Sequence, residues 1–126
     1  MSVEQVESSQ NFKNLLGGLL KIQEIAQVHQ ANVVVLSVPT KEEIYGWILH
    51  DQDPWVGSDT ESGISQAIRD FCAKQNLRYI DLKPMLVKQA QVALSQGELL
   101  WWRDDSHWSP KGHQVVAQFI DKELTH

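Results

Sequence analysis

The sequence predicts an α/β fold, with helices packed on both faces of a small parallel sheet to give three layers, α/β/α. The first observation is alternation, because segments with apolar residues at helical spacing are separated by short β-branched runs. The second is that the clearest of these runs, residues 32–38, is continuous rather than alternating. Continuous runs are typical of parallel strands covered on both faces. We therefore expect parallel strands joined by right-handed crossovers.

The first half of the chain predicts two helices around that strand. Residues 11–30 carry apolar side chains at helical spacing and form the first helix. Beyond the strand, Thr40 and Glu43 have the spacing of a capping box, which predicts the start of a second helix. Residues 50–59 lack periodicity and are rich in turn formers, so a loop is expected there.

The second half continues the same pattern. A third helix is expected to begin near Asp59 or Thr60, and residues 78–82 predict a second strand. Pro84 suits the first turn of a fourth helix, which closes at Gly97.

The end of the chain predicts a short third strand at residues 99–102 and a last helix that Ser109 caps and Pro110 opens. No linker interrupts the pattern, so residues 1–126 are expected to form a single domain, with residues 1–10 as a flexible tail. Two strands and one short third strand make a smaller sheet than parallel sheets usually have. We expect the missing part to come from a second copy, from a second chain, or from sequence outside these residues.

The composition excludes several classes of function. The chain has 126 residues and a net charge of -5, which gives no basic surface for nucleic acid. No run approaches the roughly 18 apolar residues of a membrane span. The N-terminus lacks the basic start and apolar run of a signal peptide, so the chain as written is expected in the cytoplasm. The lone Cys72 is expected in the core.

The densest chemistry lies in residues 101–109, just ahead of the last helix, where two carboxylates, an imidazole and three indoles occur together. His107 follows Asp105 by two residues and Asp104 by three. A carboxylate that holds an imidazole fixes its tautomer and stabilises the imidazolium, which is the base half of a nucleophilic relay. Either aspartate is a candidate partner for this base.

Two segments resemble one known family. Residues 105–113, Asp-Ser-His-Trp-Ser-Pro-Lys-Gly-His, resemble the Asp-x-His-Trp-x-x-x-Gly block of the SGNH/GDSL hydrolase superfamily, closest to its alginate O-acetyltransferase-like branch. Residues 39–45, Pro-Thr-Lys-Glu-Glu-Ile-Tyr, resemble that branch's Pro-x-Lys-Glu segment. The resemblance implies the C-terminal half of a flavodoxin-like SGNH fold. It also implies His107 as general base and Asp105 as its partner, with Asp104 as the rival because other branches place the aspartate three residues ahead.

The family's nucleophilic serine and its oxyanion-hole blocks are not recognisable in this chain. Ser65 lies inside a helical stripe rather than after a strand, which argues against a nucleophile elbow. Ser58 suits a turn or a cap, and Ser106 cannot readily reach the base beside it. The resemblance therefore implies a serine outside this sequence, and an isolated chain that is inactive or nearly so.

Three indoles are candidates for binding substrate. Trp102 and Trp108 flank the base and are expected to line a wall for an apolar group or a sugar. Trp55 lies in the polar loop, where an exposed indole indicates a lid or an interface. Trp47 is instead expected in the core.

No metal or other cofactor is expected. The carboxylates and imidazoles of residues 50–53 and 104–107 suit zinc or manganese, but their spacing matches no dedicated site. His113 is expected to make a structural hydrogen bond in the last helix, and His126 is expected at the surface.

Two functions follow from these observations. The resemblance implies an acyl-ester hydrolase or O-acetyltransferase that uses a serine ester and acts on a small-molecule or glycan ester. The alternative is a non-catalytic α/β binding module or pseudoenzyme that recognises a partner or an acylated glycan through Trp55 and the indoles near His107. In the first case a homo-oligomer or a second chain is expected to supply the missing half.

Overall fold

A computed structural model describes residues 1–125, so the expectation for His126 lies outside the described residues. The elements, in chain order, are α1 (Val3–Ser8), α2 (Gln10–Val28), β1 (Val34–Ser37), α3 (Lys41–Leu49), α4 (Gly63–Lys74), β2 (Arg78–Asp81), α5 (Lys83–Ser95) and α6 (Pro110–Thr125). They divide into two compact units. The sheet unit comprises Met1–Ser37 and Thr60–Asp81, and the motif unit comprises Val38–Asp59 and the chain from Leu82 onward.

The sheet unit contains the two described strands, which pair in parallel. The register runs from Val34 opposite Arg78 to Ser37 opposite Asp81. Helix α4 packs against β2, and α1 packs against both α4 and α2. The α/β class and the parallel pairing predicted from the β-branched runs are confirmed.

The first ten residues, predicted as a flexible tail, contain helix α1. Its N-cap is Ser2, which forms a capping box with Gln5 that the sequence prediction did not use. Val6 is buried and joins Phe12 and Ala67 in a hydrophobic cluster. Burial of Val6 against α2 and α4 is the tertiary contribution that makes so short a helix stable.

Helix α4 begins later than predicted. It starts at Gly63 rather than near Asp59 or Thr60, because Ser62 is the N-cap and accepts a hydrogen bond from the Ser65 N–H. Cys72 is fully buried on this helix, as predicted, and burial raises the pKa of its thiol.

The predicted third strand at residues 99–102 is wrong. Among residues 1–125, this segment forms only an isolated antiparallel bridge between Trp101 and Trp108, outside the two-stranded sheet. The chain folds back on itself after Trp102, so the segment pairs with its own continuation rather than with another strand.

In the motif unit, α5 packs against both α3 and α6. Helix α3 begins with the predicted Thr40 and Glu43 capping box, and α5 carries Pro84 in its first turn. The chain turns after α5 at Gly97, whose φ of +77° favours glycine. The buried apolar residues of this unit are Ile44, Tyr45, Leu82, Leu86, Ala90, Ala93, Leu100, Trp101, Val115 and Val116.

Within residues 1–125, no helix combines the length and the apolar character that crossing a membrane requires.

Candidate active site

Residues 101–109 form a loop, the motif loop, whose two ends are joined by backbone hydrogen bonds. The N–H of Trp102 donates to the carbonyl of His107 over 3.0 Å, and the N–H of Ser109 donates to that of Leu100 over 2.9 Å. All of the residues from 102 to 107 are exposed. The loop is therefore closed at its base and open to solvent at its tip.

Ser109 ties the end of this loop to the start of α6. Its Oγ donates to the carbonyl of Leu99 over 2.7 Å and accepts from the N–H of Gly112 over 3.2 Å. The second bond is the predicted N-cap of the helix that Pro110 opens. One hydroxyl thus fixes the motif loop to both the preceding chain and the following helix.

Gly112 allows α6 to approach the backbone beneath the loop. A Cβ at this position would lie 2.0 Å from the carbonyl oxygen of Leu100 and 3.0 Å from Cβ of Trp108. The first of these atoms belongs to the backbone and cannot rotate away. Glycine is therefore required for the close packing that supports both sides of the motif loop.

The motif loop brings Asp105 and His107 together. Oδ1 of Asp105 lies 2.9 Å from Nδ1 of His107, and it also accepts from the backbone N–H of His107 over 2.5 Å. The pKa of Asp105 is lowered by the backbone hydrogen bond first, then by the ring hydrogen bond, with the nearby Lys41 ammonium adding a smaller effect. The carboxylate is thus held ionised against the imidazole.

The same geometry distinguishes the two aspartates. Asp105 contacts the ring of His107, whereas the exposed Asp104 has no hydrogen bond to His107 within residues 1–125. The side chain of His107 is 83% exposed. Its Nε2 edge is therefore accessible to a reacting group.

Lys41 fixes the backbone of the motif loop. Its Nζ donates to the carbonyl oxygens of Trp102 and Arg103, each over 2.7 Å, and to that of Asp105 over 3.1 Å. Lys41 is the first residue of α3, more than sixty positions before these residues. The ammonium therefore connects the Pro-x-Lys-Glu segment to the Asp-x-His segment.

A groove of about 620 Å³ runs along α3 beside the motif loop. Its lining residues are Thr40, Lys41, Glu42, Tyr45, Ile48, Leu49, Leu99, Arg103, Asp104 and Ser106. Asp104 and Ser106 flank Asp105 directly in the chain, so the groove opens next to the acid–base pair. Its volume is in the range of small-molecule binding sites.

A comparison with protein families identifies the family of this chain. The profile of the family described as the SGNH hydrolase-like domain of acetyltransferase AlgX matches residues 1–126. This chain belongs to that family. The resemblance stated from the two sequence segments is confirmed. No curated protein and no solved structure gives a significant match.

The three indoles predicted to bind substrate occupy different environments in this AlgX-family domain. Trp102 is 52% exposed at the open side of the motif loop. Trp108 is half-buried, with its ring edge-on to those of Trp101 and His113. Among the described residues, none of the predicted indoles lines the groove.

The expectation of an exposed indole at position 55 is wrong. Trp55 is half-buried, with its ring centroid 5.1 Å from that of Trp47 and 6.2 Å from that of Tyr45. Its φ of 64° lies in the left-handed region that an aromatic residue rarely adopts. Packing against two aromatic rings stabilises Trp55 and covers part of its side chain.

Tyr45 and Lys41 are residues whose contribution the sequence reasoning missed. The hydroxyl of Tyr45 accepts a hydrogen bond from the buried N–H of Leu100 over 3.2 Å, and Leu100 is the residue immediately before the motif loop. Burial raises the pKa of Tyr45, and the Leu100 hydrogen bond opposes that shift. Both residues lie in the segment that resembles the AlgX-like branch, so the resemblance contained a signal for them.

No serine side chain within residues 1–125 is hydrogen-bonded to His107. Ser65 is buried in the sheet unit, where its hydroxyl is hydrogen-bonded to the hydroxyl of Tyr79 and lies 3.4 Å from Asp81. Ser106 is exposed at the groove. Residues 1–125 also contain no cluster of histidine, cysteine or acidic side chains that could hold a metal ion.

Proposed function

We propose that this chain supplies the acid–base pair of an acyl-transfer site, and that the nucleophilic serine comes from outside residues 1–126. The observation that carries the proposal is the contact between Nδ1 of His107 and Oδ1 of Asp105 in a domain of the AlgX acetyltransferase family. The reaction is acyl transfer through a serine ester, and the substrate is a small-molecule or glycan ester.

In the first half of the reaction, Nε2 of His107 takes the proton of the serine hydroxyl as its Oγ attacks the acyl carbonyl carbon. Asp105 stabilises the imidazolium that forms. When the tetrahedral intermediate collapses, the bond to the leaving alcohol breaks and Nε2 returns the proton to the departing oxygen. The acyl group is then esterified to the serine.

The second half repeats these steps with a different nucleophile. Nε2 takes a proton from water or from an acceptor hydroxyl, whose oxygen attacks the acyl-serine carbonyl. Collapse releases the serine, which recovers the proton from Nε2. Water gives hydrolysis, and a sugar hydroxyl gives O-acyl transfer.

Exposed apolar surface supports the proposal that this chain acts with further sequence. Helix α2 buries Phe12 near its start. Further along the helix, the side chains of Ile22, Ile25 and Val28 are between 50% and 76% exposed. Apolar side chains repeated along one helix are normally covered by another element. A second copy, a second chain or additional sequence would cover them, and of these a second chain or additional sequence would bring the serine.

The test is ester hydrolysis with p-nitrophenyl acetate. The purified chain is expected to show no turnover above that of its His107→Ala variant. A complex or longer polypeptide that contains these residues and the serine should be active, and His107→Ala should lower its kcat at least about a thousandfold. Activity of that assembly that is insensitive to His107→Ala would contradict the proposal.

The groove supports a second candidate function, a non-catalytic module that binds an acylated glycan. It lies beside the motif loop and has the volume of a ligand site. If binding is the whole function, ligand affinity measured by calorimetry should survive His107→Ala and fall with Tyr45→Ala. If the acyl-transfer proposal is right, His107→Ala should remove turnover in the active assembly while ligand still binds.

A further inference from the structure

We propose that Lys41 is a positioning residue that holds the motif loop in the shape that places Asp105 against His107. The role assigned to the Asp105–His107 pair rests on the proposed function, whereas the positioning itself concerns only the structure of the loop. Three further observations support it.

The first observation is that the ammonium group of Lys41 is saturated. An ammonium carries three N–H donors and no acceptor. The carbonyls of Trp102, Arg103 and Asp105 provide three acceptors within 3.1 Å of Nζ. Each is a charge-assisted hydrogen bond, stronger than a bond between neutral groups. The head group is thus committed to the loop rather than to a substrate anion.

The second observation is that these three carbonyls point at one place. Their dipoles converge on Nζ, so their negative ends would repel one another if the cation were removed. Besides the bonds to Lys41, residues 102–107 are held by the contacts of Asp105 with His107 and by one backbone hydrogen bond. The hydrogen bond from Trp102 N–H to the His107 carbonyl closes only the base of the loop.

The third observation is that a lysine at this position does not favour helix α3. Lys41 is the first residue of the helix, where the positive end of the helix dipole disfavours a cation. Glu42 and Glu43, in the same turn, follow the favourable pattern. Because the helix dipole disfavours a cation here, the ammonium of Lys41 is expected to be stabilised by contacts outside the helix. Those contacts are its hydrogen bonds to the motif loop.

The consequence for the acid–base pair is geometric. Lys41 binds the carbonyl of Asp105, so it fixes the backbone from which the carboxylate extends. That carboxylate meets His107 only two residues later, through both the ring and the backbone N–H. A change in the curvature of the loop would separate Oδ1 from Nδ1 without altering either side chain.

The test uses ¹⁵N NMR of the intact chain with labelled histidine, together with amide hydrogen exchange. The variant is Lys41→Met, which keeps the aliphatic stem. The matched control is Lys88→Met, which removes the same charge from an exposed position of α5. Wild type and Lys88→Met should show neutral His107 protonated at Nδ1.

In Lys41→Met, the Nδ1-protonated signal of His107 should be lost in favour of the Nε2-protonated form. The amide of Trp102 should exchange at least about tenfold faster, since losing charge-assisted hydrogen bonds shifts the opening equilibrium by more than that factor. An unchanged His107 signal and unchanged Trp102 protection in Lys41→Met would overturn the proposal.

If Lys41→Met does not fold, Lys41→Gln replaces it, because the uncharged amide has only two N–H donors and cannot bind all three carbonyls. The same loss of the Nδ1-protonated signal is expected, and its retention would overturn the proposal. Neither readout needs a serine or turnover. A failure of the acyl-transfer proposal, seen as His107-independent activity, is therefore distinguishable from a failure of this one.

Discussion

Nδ1 of His107 lies 2.9 Å from an oxygen of Asp105 that also accepts the backbone N–H of His107. An ionised carboxylate can only accept hydrogen bonds, so the neutral ring must carry its proton at Nδ1. Nε2 then holds a free lone pair on the accessible side of the imidazole. This is the protonation state that a general base for a serine hydroxyl needs.

The first prediction concerns the pH dependence of this contact. The pKa of Asp105 is lowered from 3.8 by hydrogen bonds from His107, so the stabilisation is present above the ordinary value and is lost as pH falls through the lowered one. A titration of the Asp105 carboxyl carbon by NMR should have a midpoint below 3.8. A midpoint at or above that value would show that these hydrogen bonds do not form in solution.

The second prediction concerns Tyr45. Tyr45→Phe removes the acceptor of the buried Leu100 N–H but keeps the ring that packs against Trp101. An unsatisfied buried donor costs about 1–3 kcal/mol, so the free energy of unfolding should fall by that amount. Urea denaturation measures it. A loss below about 0.5 kcal/mol would indicate that water or another group replaces the hydroxyl.

The third prediction compares two glycine-to-alanine substitutions. Gly112→Ala should destabilise the chain by at least about 2 kcal/mol, because the new Cβ meets the carbonyl of Leu100. Gly17→Ala is the matched control in the exposed part of α2, where a Cβ has open space. It should stabilise the chain by up to about 1 kcal/mol through helix propensity. Equal thermal shifts for the two variants would contradict the role assigned to Gly112.

Local signals in the sequence predicted much of this structure. The Thr40 and Glu43 capping box and the Ser109 cap act over three or four residues, and both are present. The spacing left Asp104 and Asp105 both open as partners of His107, and the resemblance favoured Asp105, which makes the contact. Each of these features is decided by neighbours in the chain, which is why the sequence pattern was informative.

Long-range contacts decide what the sequence pattern did not predict. Lys41 reaches carbonyls 61 to 64 positions away, and no local pattern records where a backbone oxygen will point. Trp55 is covered because Trp47 and Tyr45 present their rings to it, whereas its polar neighbours in sequence suggested exposure. Helix α1 likewise depends on burying Val6 against Phe12 and Ala67.

The most direct test compares Asp105→Ala with Asp104→Ala by ¹⁵N NMR of His107 above pH 8. Each variant removes one carboxylate from adjacent positions, but only Asp105 contacts the ring. In wild type and Asp104→Ala the proton should stay on Nδ1, whereas Asp105→Ala leaves the Nδ1–H without its acceptor and should transfer the proton to Nε2. A His107 proton on Nε2 in the wild type, or its transfer only in Asp104→Ala, would contradict the contact between Asp105 and His107.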